Sequence, residues 1–444
     1  MLSYLSDLLW GPWTLALFLL VGGYYSVRTG FFQLFGIRQW LGGTLGALFR
    51  RGERRPGELS PLQILSTSLG AMIGTGSIVG VATAITLGGP GAVFWMWVSS
   101  LFGMMTAFAE KVLALSRRER KADGGWRGGP MVWLEQLGLT GLGKCFAFCC
   151  ILTSLGMCGL AQSNSMAAGL ETAFGWPPLA VGIVAALLVG ASLLGGVDRI
   201  GQVCEKIVPL MTLLFFIGSL YVLFQQRAGI PGAVALIFED AFGLRAAAGG
   251  GVGSAIRYGV SRGVFNSEAG LGTTALIHAS SASRDPLEEG FWGMFEVFLD
   301  GIVLCAVMAL LILTSGAWQT GGALTGAALC CAAFEAALGP LGTPFVAVCL
   351  ALFALSALLG GSCYGQCGVE YLWKGRGGKV YLFLFLAAVV AGSVAELEAV
   401  WQFADLCNAL LALPNLTALL LLSPEVLRLF RGRLGEADKT RPRP

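Results

Sequence analysis

Long apolar stretches are the feature that most constrains this chain. Runs such as 288–316 and 341–373 are long enough to cross about 30 Å of hydrocarbon as helices, and charged residues make up only 12% of the sequence. A water-soluble domain of 444 residues cannot bury so much apolar surface in one core. The sequence therefore predicts an all-α polytopic membrane protein. Eleven spans are expected, over residues 8–29, 62–88, 91–116, 143–173, 178–196, 203–227, 250–281, 288–316, 341–373, 378–397 and 400–423.

The distribution of basic residues predicts the orientation of these spans. Arginine and lysine cluster after the first, third, fifth and ninth spans and in the tail, for example at Arg51, Arg118 and Lys374. The loops on the opposite side, including the long 317–340 stretch, are nearly free of them. Because basic loops stay in the cytoplasm, we expect a multi-pass protein of the cell (plasma or inner) membrane, with its N-terminus outside and its C-terminus cytoplasmic. The chain after Pro424 is expected to be a short, disordered basic tail.

The ten spans after the first divide into two sets of five. Five is odd, so the two sets have opposite orientations in the membrane, as in the inverted repeats of many secondary transporters. We expect a first helix and basic segment at 1–57, a first repeat at 58–227, a second repeat at 228–423, and a basic cytoplasmic tail at 424–444.

Glycine clusters interrupt the opening span of each repeat. The first break, near 70–80, reads GAMIGTGSIVG, and the second, near 262–272, reads RGVFNSEAGLG. Glycine costs about 1 kcal/mol per residue in a helix interior, and interruptions in corresponding spans indicate a binding site at mid-membrane. Unwound backbone there supplies amides for a carboxylate and carbonyls for a cation. Close helix packing is the other explanation, but it does not account for Thr75, Ser77 or Asn266 within the breaks.

At these breaks the sequence resembles the alanine or glycine:cation symporter family. The similarity covers almost the whole chain. It includes GTGSIVGVATAITLGGPGAVFWMW at 74–97, SRGVFNSEAGLGTTALIHA at 261–279, LLGGSCYGQCGVEYLW at 358–373 and ADLCNALLALPNLTALLLLS at 404–423. The resemblance implies a leucine-transporter-like 5+5 inverted repeat with one preceding helix. It also implies sodium-coupled symport of small neutral amino acids.

The resemblance further implies a substrate site at the two breaks. The amides around Gly74, Thr75 and Gly76 are expected to bind the substrate carboxylate. Phe265 is expected to form a lid or wall, and Asn266 a polar contact. The expected substrate-binding residues are Gly74, Thr75, Gly76, Ser77, Gln162, Phe265, Asn266, Ala357 and Gly361.

A sodium ion is the only co-transported ion expected, and no cofactor is expected. The resemblance implies a cation site made by carbonyls near Gly70 and Ile73 with the hydroxyl of Ser356. Neutral oxygens of this kind suit a hard cation. The other expected partners are the amino acid and membrane lipid. A net charge of +3 is too small to suggest nucleic acid, and the oligomeric state stays open.

The ninth span departs from the family pattern. Ala357, Gly361, Cys363 and Gln366 stand where the family has Thr, Trp, Tyr and Glu. A Trp side chain buries about 200 Å², so its loss at Gly361 predicts a larger pocket. A larger neutral amino acid such as glutamine is therefore an alternative substrate.

Ionisable residues inside membrane spans are functional hypotheses by default. Arg262 is expected to pair with Glu268, Glu296 or Asp300 and so to fix the second break. A proton route through these carboxylates stays open beside sodium coupling.

Other polar residues in the spans have simpler expected roles. Glu110 and Lys111 are expected to reach the membrane surface, and His278 to lie at the interface. Gln162 and Asn164 serve either as substrate or gating contacts or as hydrogen bonds between helices.

An ion channel and an intramembrane enzyme are the competing classes. No filter motif such as TVGYG occurs. Ser362 and His278 are a conceivable nucleophile and base, but no motif joins them. The sequence therefore predicts a transporter rather than an enzyme.

Overall fold

The computed structural model describes residues 10–46, 48, 57–121, 124–242, 251–319, 324–374 and 376–439. Most of these residues lie in helices, and one short antiparallel ribbon joins β1 (Glu119–Arg120) to β2 (Trp126–Arg127). The helices up to residue 242 are α1 (Pro12–Arg28), α2 (Phe32–Phe35), α3 (Ile37–Leu45), α4 (Pro61–Met72), α5 (Val81–Gly88), α6 (Ala92–Ser116), α7 (Pro130–Gln136), α8 (Thr140–Thr153), α9 (Gln162–Phe174), α10 (Pro178–Leu193), α11 (Gly196–Gln225) and α12 (Ile230–Phe242).

The later helices begin after the gap that follows residue 242. They are α13 (Gly251–Ser267), α14 (Thr273–His278), α15 (Pro286–Val297), α16 (Cys305–Ser315), α17 (Gly326–Leu338), α18 (Gly342–Trp373), α19 (Gly378–Val394), α20 (Leu397–Leu421) and α21 (Ser423–Lys439). Wider π-helical turns adjoin α5, join α8 to α9 and join α15 to α16. These turns span Gly76–Gly80, Ser154–Ala161 and Phe298–Leu304.

Local signals explain where several helices begin and end. At the start of α4, the Ser60 hydroxyl accepts from the backbone nitrogen of Gln63, and the Gln63 side chain accepts from the backbone nitrogen of Ser60, both at 3.2 Å. This is a capping box, and Pro61 occupies the first helical position. The helix α9 ends at Phe174 and is capped by Gly175, whose φ of 67° is left-handed and favours glycine.

The described chain is a multi-pass membrane protein. Six of its helical segments are long and apolar enough to cross a membrane, and a seventh is gained if the bent pair at the first break counts as one span. Apolar side chains cover the outer surface; Leu187, Phe224 and Phe383, for example, are 65–72% exposed. Such a surface suits lipid rather than water. The expected number of eleven spans stays a prediction.

Two helices form the centre of the molecule. The helix α6 packs against α15, α13 and α1, and α18 packs against α9, α8 and α4. Glycines permit the close approach around α6. A Cβ on Gly263 would lie 2.0 Å from Oγ of Ser99, and one on Gly293 would lie 2.7 Å from the carbonyl oxygen of Ala107. Small residues at such contacts let helix backbones approach closely in a membrane.

The structure corrects two expectations about segments outside the spans. The 317–340 stretch, expected as a loop, contains α17. The tail, expected to be disordered, is helical through Lys439 in α21. Val426, Leu427 and Phe430 form the buried face of α21, and the ring of Phe430 lies 5.1 Å from that of Phe32. The sequence did not predict α21, because its apolar residues form one short stripe among basic residues rather than a membrane span.

Candidate substrate and cation site

The first break separates α4 from the π-helical turn Gly76–Gly80, and the two parts of the span are bent by 48°. Ile73 leaves helical geometry, with a ψ of 71°. A Cβ on the next residue, Gly74, would lie only 2.7 Å from Oε1 of Gln162. The break therefore needs glycine at this position, because a side chain would displace Gln162.

Gln162 occupies the space beside the first break. Its Oε1 accepts hydrogen bonds from the backbone nitrogen of Thr75 at 2.9 Å and from the Thr75 hydroxyl at 3.1 Å. Its Nε2 donates to the carbonyl oxygen of Met157 at 3.4 Å. An amide oxygen accepts hydrogen bonds as one oxygen of a carboxylate does. The backbone N–H and the hydroxyl of Thr75 thus form a donor pair that fits a carboxylate, and the Gln162 side chain occupies this position.

Residues of the two breaks face each other. A Cβ on Gly76 would lie 3.1 Å from Oδ1 of Asn266 and 3.3 Å from the Phe265 ring. A Cβ on Gly80 would lie 2.9 Å from the same Asn266 oxygen. This buried oxygen has no hydrogen-bond partner among the residues that the structure describes. The glycines of the first break therefore make room for the side chains of the second.

In the structure, the second break, expected near 262–272, covers residues 268–272 between α13 and α14. One buried carboxylate binds its glycine amides. Oε1 of Glu110 accepts from the backbone nitrogens of Gly270 and Gly272, each at 3.0 Å, and from Nδ2 of Asn415 at 2.7 Å. Both glycines have positive φ, at 94° and 75°. Glu110 satisfies amides that unwinding leaves free. The expectation that Glu110 reaches the membrane surface was wrong, because its side chain is fully buried.

A buried polar network continues from Glu110. Nζ of Lys111 donates to the Thr274 hydroxyl at 2.5 Å and lies 3.7 Å from Glu296. His278 places Nδ1 2.6 Å from Glu289 and Nε2 2.9 Å from Glu296. Lys111 was expected at the surface and His278 at the interface, and both are fully buried. The sequence did not reveal the partners that α14 and α15 bring to these groups.

Arg262 makes a bidentate ion pair with Asp405. Its two terminal nitrogens donate to the Asp405 carboxylate at 3.1 and 2.9 Å. Its guanidinium also lies 5.5 Å from the ring of Phe265 and 5.7 Å from that of Trp401. The pair connects α13 to α20. The predicted partners Glu268, Glu296 and Asp300 were therefore wrong.

Ser77 is engaged by a carboxylate. Its hydroxyl donates to Oδ1 of Asp300 at 2.5 Å, and both side chains are buried. The second oxygen of Asp300 has no hydrogen-bond partner within the described residues.

Asn164 makes hydrogen bonds between helices. It donates to the carbonyl oxygens of Gly392 and Ala395 at 2.9 and 2.8 Å. Asn164 thus links α9 to the end of α19.

The expected cation residues lie where α4 meets α18. A Cβ on Gly70 would lie 3.4 Å from Cβ of Ser356 and 3.6 Å from its carbonyl oxygen. The Ser356 hydroxyl donates to the carbonyl oxygen of Phe353 at 2.8 Å. Ile73 is fully buried three residues further along, at the end of α4. The geometry brings Gly70 and Ser356 into contact beside the first break.

The structure does not open the expected space at Gly361. A Cβ there would lie 2.2 Å from Sγ and 2.4 Å from Cβ of Cys158. The volume that a Trp side chain needs is thus taken by the π-helical turn Ser154–Ala161. Gly361 serves close packing, so the predicted enlargement at this position was wrong. Ala357 is fully buried one residue after Ser356.

Glu268 connects the second break to α18. It has a φ of 47°, which is unusual for a residue other than glycine. Its Oε2 accepts from the Tyr364 hydroxyl at 2.9 Å and from the Thr273 hydroxyl. Its Oε1 is buried without a hydrogen-bond partner among the described residues. Strain of this kind persists where surrounding structure imposes it, and it is common at functional sites.

A cavity of about 130 Å³ is lined by Cys363, the residue that precedes Tyr364 on α18. It is bounded by α7, α14 and α18 and by the β-ribbon. Its lining residues include Met131, Leu276, Cys363, Cys367 and Tyr371.

Four residues at these contacts were absent from the expected site. Glu110 and Asp405 carried a signal, because a carboxylate inside an apolar span is costly unless it has partners. The sequence contained no signal for Tyr364 and Trp401, since aromatic residues in membrane spans most often serve packing.

Comparison with known families decides the class of protein to which this chain belongs. The model of the sodium:alanine symporter family matches residues 1–439. The chain belongs to this family. It is therefore a helical membrane transporter of the symporter type, not an enzyme.

Curated relatives of this family member cover nearly its whole length. The chain is 39% identical over 431 residues to the sodium/alanine symporter AgcS of Methanococcus maripaludis, covering 95% of this chain and 94% of that protein. It is 35% identical over 428 residues to the probable sodium/glutamine symporter GlnT of Bacillus subtilis, covering 95% and 87%. A solved Na+-coupled sialic acid symporter aligns at a TM-score of 0.49 and 14% identity, over 97% of this chain and 86% of that one.

Proposed function

We propose that this protein carries a small neutral amino acid of the alanine or glycine type across the membrane together with sodium, by alternating access. We infer a leucine-transporter-like arrangement in which 58–227 and 228–423 are inverted repeats. The juxtaposition of the breaks, with Gly76 against Asn266, supports a shared site between the repeats.

The contact between Gln162 and Thr75 is the observation that carries this proposal. In our account the substrate carboxylate takes the backbone N–H of Thr75, and Gln162 yields that position. The neighbouring amide of Gly76 and the unpaired oxygen of Asn266 then suit the carboxylate and ammonium ends of an amino acid. Phe265 covers the site, since its ring packs at 5.4 Å on Trp401.

Sodium is assigned to the contact between Gly70 and Ser356. In this proposal, backbone carbonyls near Gly70 and Ile73 and the hydroxyl of Ser356 supply neutral oxygens, which suit a hard cation. This sodium site lies beside the first break. Binding of sodium and binding of the amino acid are therefore coupled, because each holds the same unwound segment. Relatives named as sodium symporters support this choice over protons.

Alanine is favoured over glutamine because Cys158 fills the space beside Gly361. Glutamine is the second candidate. It is favoured by Ala357, which is smaller than the Thr of the family pattern, and by the relative named as a probable glutamine symporter.

We place the protein in the cell membrane with its N-terminus outside and its C-terminus in the cytoplasm. Arg117 pairs with Glu425 at 2.6 Å, and Arg118 donates to the carbonyl oxygen of Ser281 at 2.6 Å. The loop after α6, the end of α14 and the start of α21 thus lie at one end of the molecule, here called the basic end. Basic loops favour the cytoplasm.

Binding measurements on purified protein test this assignment. We expect radiolabelled alanine to bind only when sodium is present. Gln162→Ala is expected to strengthen alanine binding, because no side chain then has to leave the Thr75 backbone N–H before the carboxylate binds. Thr172→Ala, an exposed residue on the same helix, should leave binding unchanged. Ser356→Ala is expected to raise the sodium concentration needed for half-maximal binding. Equal alanine binding with and without sodium would refute the proposed coupling.

A further inference from the structure

A cleft of about 700 Å³ opens at the basic end between α10, α18 and α19. The helices α10 and α19 pack antiparallel: a Cβ on Gly182 would meet Ser393, and a Cβ on Gly190 would meet Leu386. The cleft therefore lies between the end of α10 and the beginning of α19. The β-ribbon and the end of α18 complete its walls.

Positive charge dominates the ionisable groups that line the cleft. These groups are Arg120, Lys121, Arg127, Lys374 and Glu370. Lys121 pairs with Glu370 at 2.7 Å, and Arg127 pairs with Glu119 at 2.7 Å. A hydrogen bond from Gln136, together with the pairing with Arg127, holds the pKa of Glu119 below its usual range, so this pair stays ionic at neutral pH.

Two cations of the cleft have no carboxylate partner among the residues that the structure describes. Arg120 is exposed, and its guanidinium donates to the carbonyl oxygen of Gly124 and stacks 4.5 Å from the Trp126 ring. Lys374 is exposed at the end of α18. Within the described residues, neither has an Asp or Glu oxygen within 4 Å. The cleft therefore offers two positive charges to an anion.

The opposite side of the cleft is apolar and continuous with the lipid-facing surface. Leu193 and Leu382 form this wall. The residue that follows each of them in the chain is strongly exposed, Leu194 to 80% and Phe383 to 72%. Trp373, 51% exposed, lies at the same end of α18, as expected for the aromatic belt at a membrane interface. The cleft thus has a polar side and an acyl-chain side.

We propose that this cleft binds an anionic phospholipid. Its phosphodiester lies between Arg120 and Lys374, and an acyl chain lies along Leu193 and Leu382. Guanidinium and ammonium groups bind phosphate oxygens by charge-assisted hydrogen bonds, and basic pockets between membrane helices recognise anionic headgroups. A soluble phosphate has the same anionic chemistry but makes no use of the apolar wall. This inference is independent of the transported substrate.

Native mass spectrometry of the purified full-length protein tests the proposal. The protein is titrated with dioleoyl phosphatidylglycerol and, separately, with zwitterionic dioleoyl phosphatidylcholine. We expect the first phosphatidylglycerol to bind at a concentration at least tenfold lower than phosphatidylcholine. Lys374→Gln and Arg120→Gln should each weaken phosphatidylglycerol binding about fivefold and leave phosphatidylcholine binding unchanged.

Matched variants separate a built site from general charge attraction. Arg428→Gln removes one exposed positive charge from α21, outside the cleft, and should leave lipid binding unchanged. Leu382→Asn should weaken phosphatidylglycerol binding while Arg120 and Lys374 are retained. Equal losses in Arg428→Gln and Lys374→Gln would overturn the proposal, as would equal binding of the two lipids. Displacement of the lipid by millimolar inorganic phosphate would identify a soluble anion instead.

Discussion

Single glycines decide how closely the helices approach at both breaks. The sequence marked Gly74 and Gly76 as parts of a break. In the structure, a Cβ on either glycine would lie within about 3 Å of a side chain from another helix. At Gly361 the same residue type was interpreted as empty space, yet Cys158 fills it. A missing side chain in one helix is ambiguous from sequence, because the neighbour that fills the gap comes from elsewhere in the chain.

Substitution of Gly361 by alanine tests this packing. We expect Gly361→Ala to lower the free energy of unfolding by about 1–3 kcal/mol, because its Cβ overlaps Cys158 and overpacking costs that much. Thermal unfolding in detergent measures the loss. Cys158→Gly in the same chain should recover part of it. Gly23→Ala, with nothing within 4 Å of the new Cβ, is the control; a similar loss there would contradict the packing explanation.

The second break is an element held at three points by other helices. Arg262 before the break pairs with Asp405, Glu268 within it accepts from Tyr364, and Glu110 binds its glycine amides. These partners belong to α20, α18 and α6. The backbone around the second break is thus fixed by three different helices at successive positions along the chain.

The Arg262–Asp405 pair is expected to be strongly coupled. Removal of one partner leaves a buried charge, which costs about 3–5 kcal/mol. We therefore expect Arg262→Gln or Asp405→Asn alone to be destabilising, and the double variant to lose less than the sum of the two. Denaturation midpoints of the four proteins give the coupling energy. Additive losses would show that the two side chains do not act as a pair.

The Tyr364–Glu268 contact lies one residue from Cys363, which lines the cavity between α7, α14 and α18. We expect this contact to restrict access to the cavity from the second break. Tyr364→Phe removes a hydrogen bond to a carboxylate, worth about 1.5–3 kcal/mol. We expect it to raise the alkylation rate of Cys363 and Cys367 about tenfold or more, measured by peptide mass spectrometry on purified protein.

Tyr371→Phe is the matched control for this measurement. Tyr371 lies on the same helix and lines the same cavity, but it lies two turns beyond the contact with Glu268. Its substitution should leave the alkylation rates near those of the unmodified protein. Equal acceleration in both variants would mean that Tyr364 has no special role in restricting this access.

At the scale of the whole molecule, the sequence predicted the positions of spans and of their interruptions, because these depend on local composition. The span expected at 91–116 is α6, Ala92–Ser116, and glycine clusters marked both interruptions. Contacts between distant segments were not predictable. Asp405 pairs with Arg262 across 143 residues, and Gln162 reaches Thr75 across 87. Apolar periodicity fixes which residues enter a span, but it does not specify which span lies beside another.

Coupled transport is the property of the whole molecule on which the proposed function depends. The most direct test is the initial rate of radiolabelled alanine uptake into proteoliposomes, with an inward sodium gradient, with an inward proton gradient, and with neither. We expect uptake only with the sodium gradient, and Ser356→Ala should abolish most of it. Uptake that follows the proton gradient and ignores sodium would contradict the sodium assignment at Gly70 and Ser356.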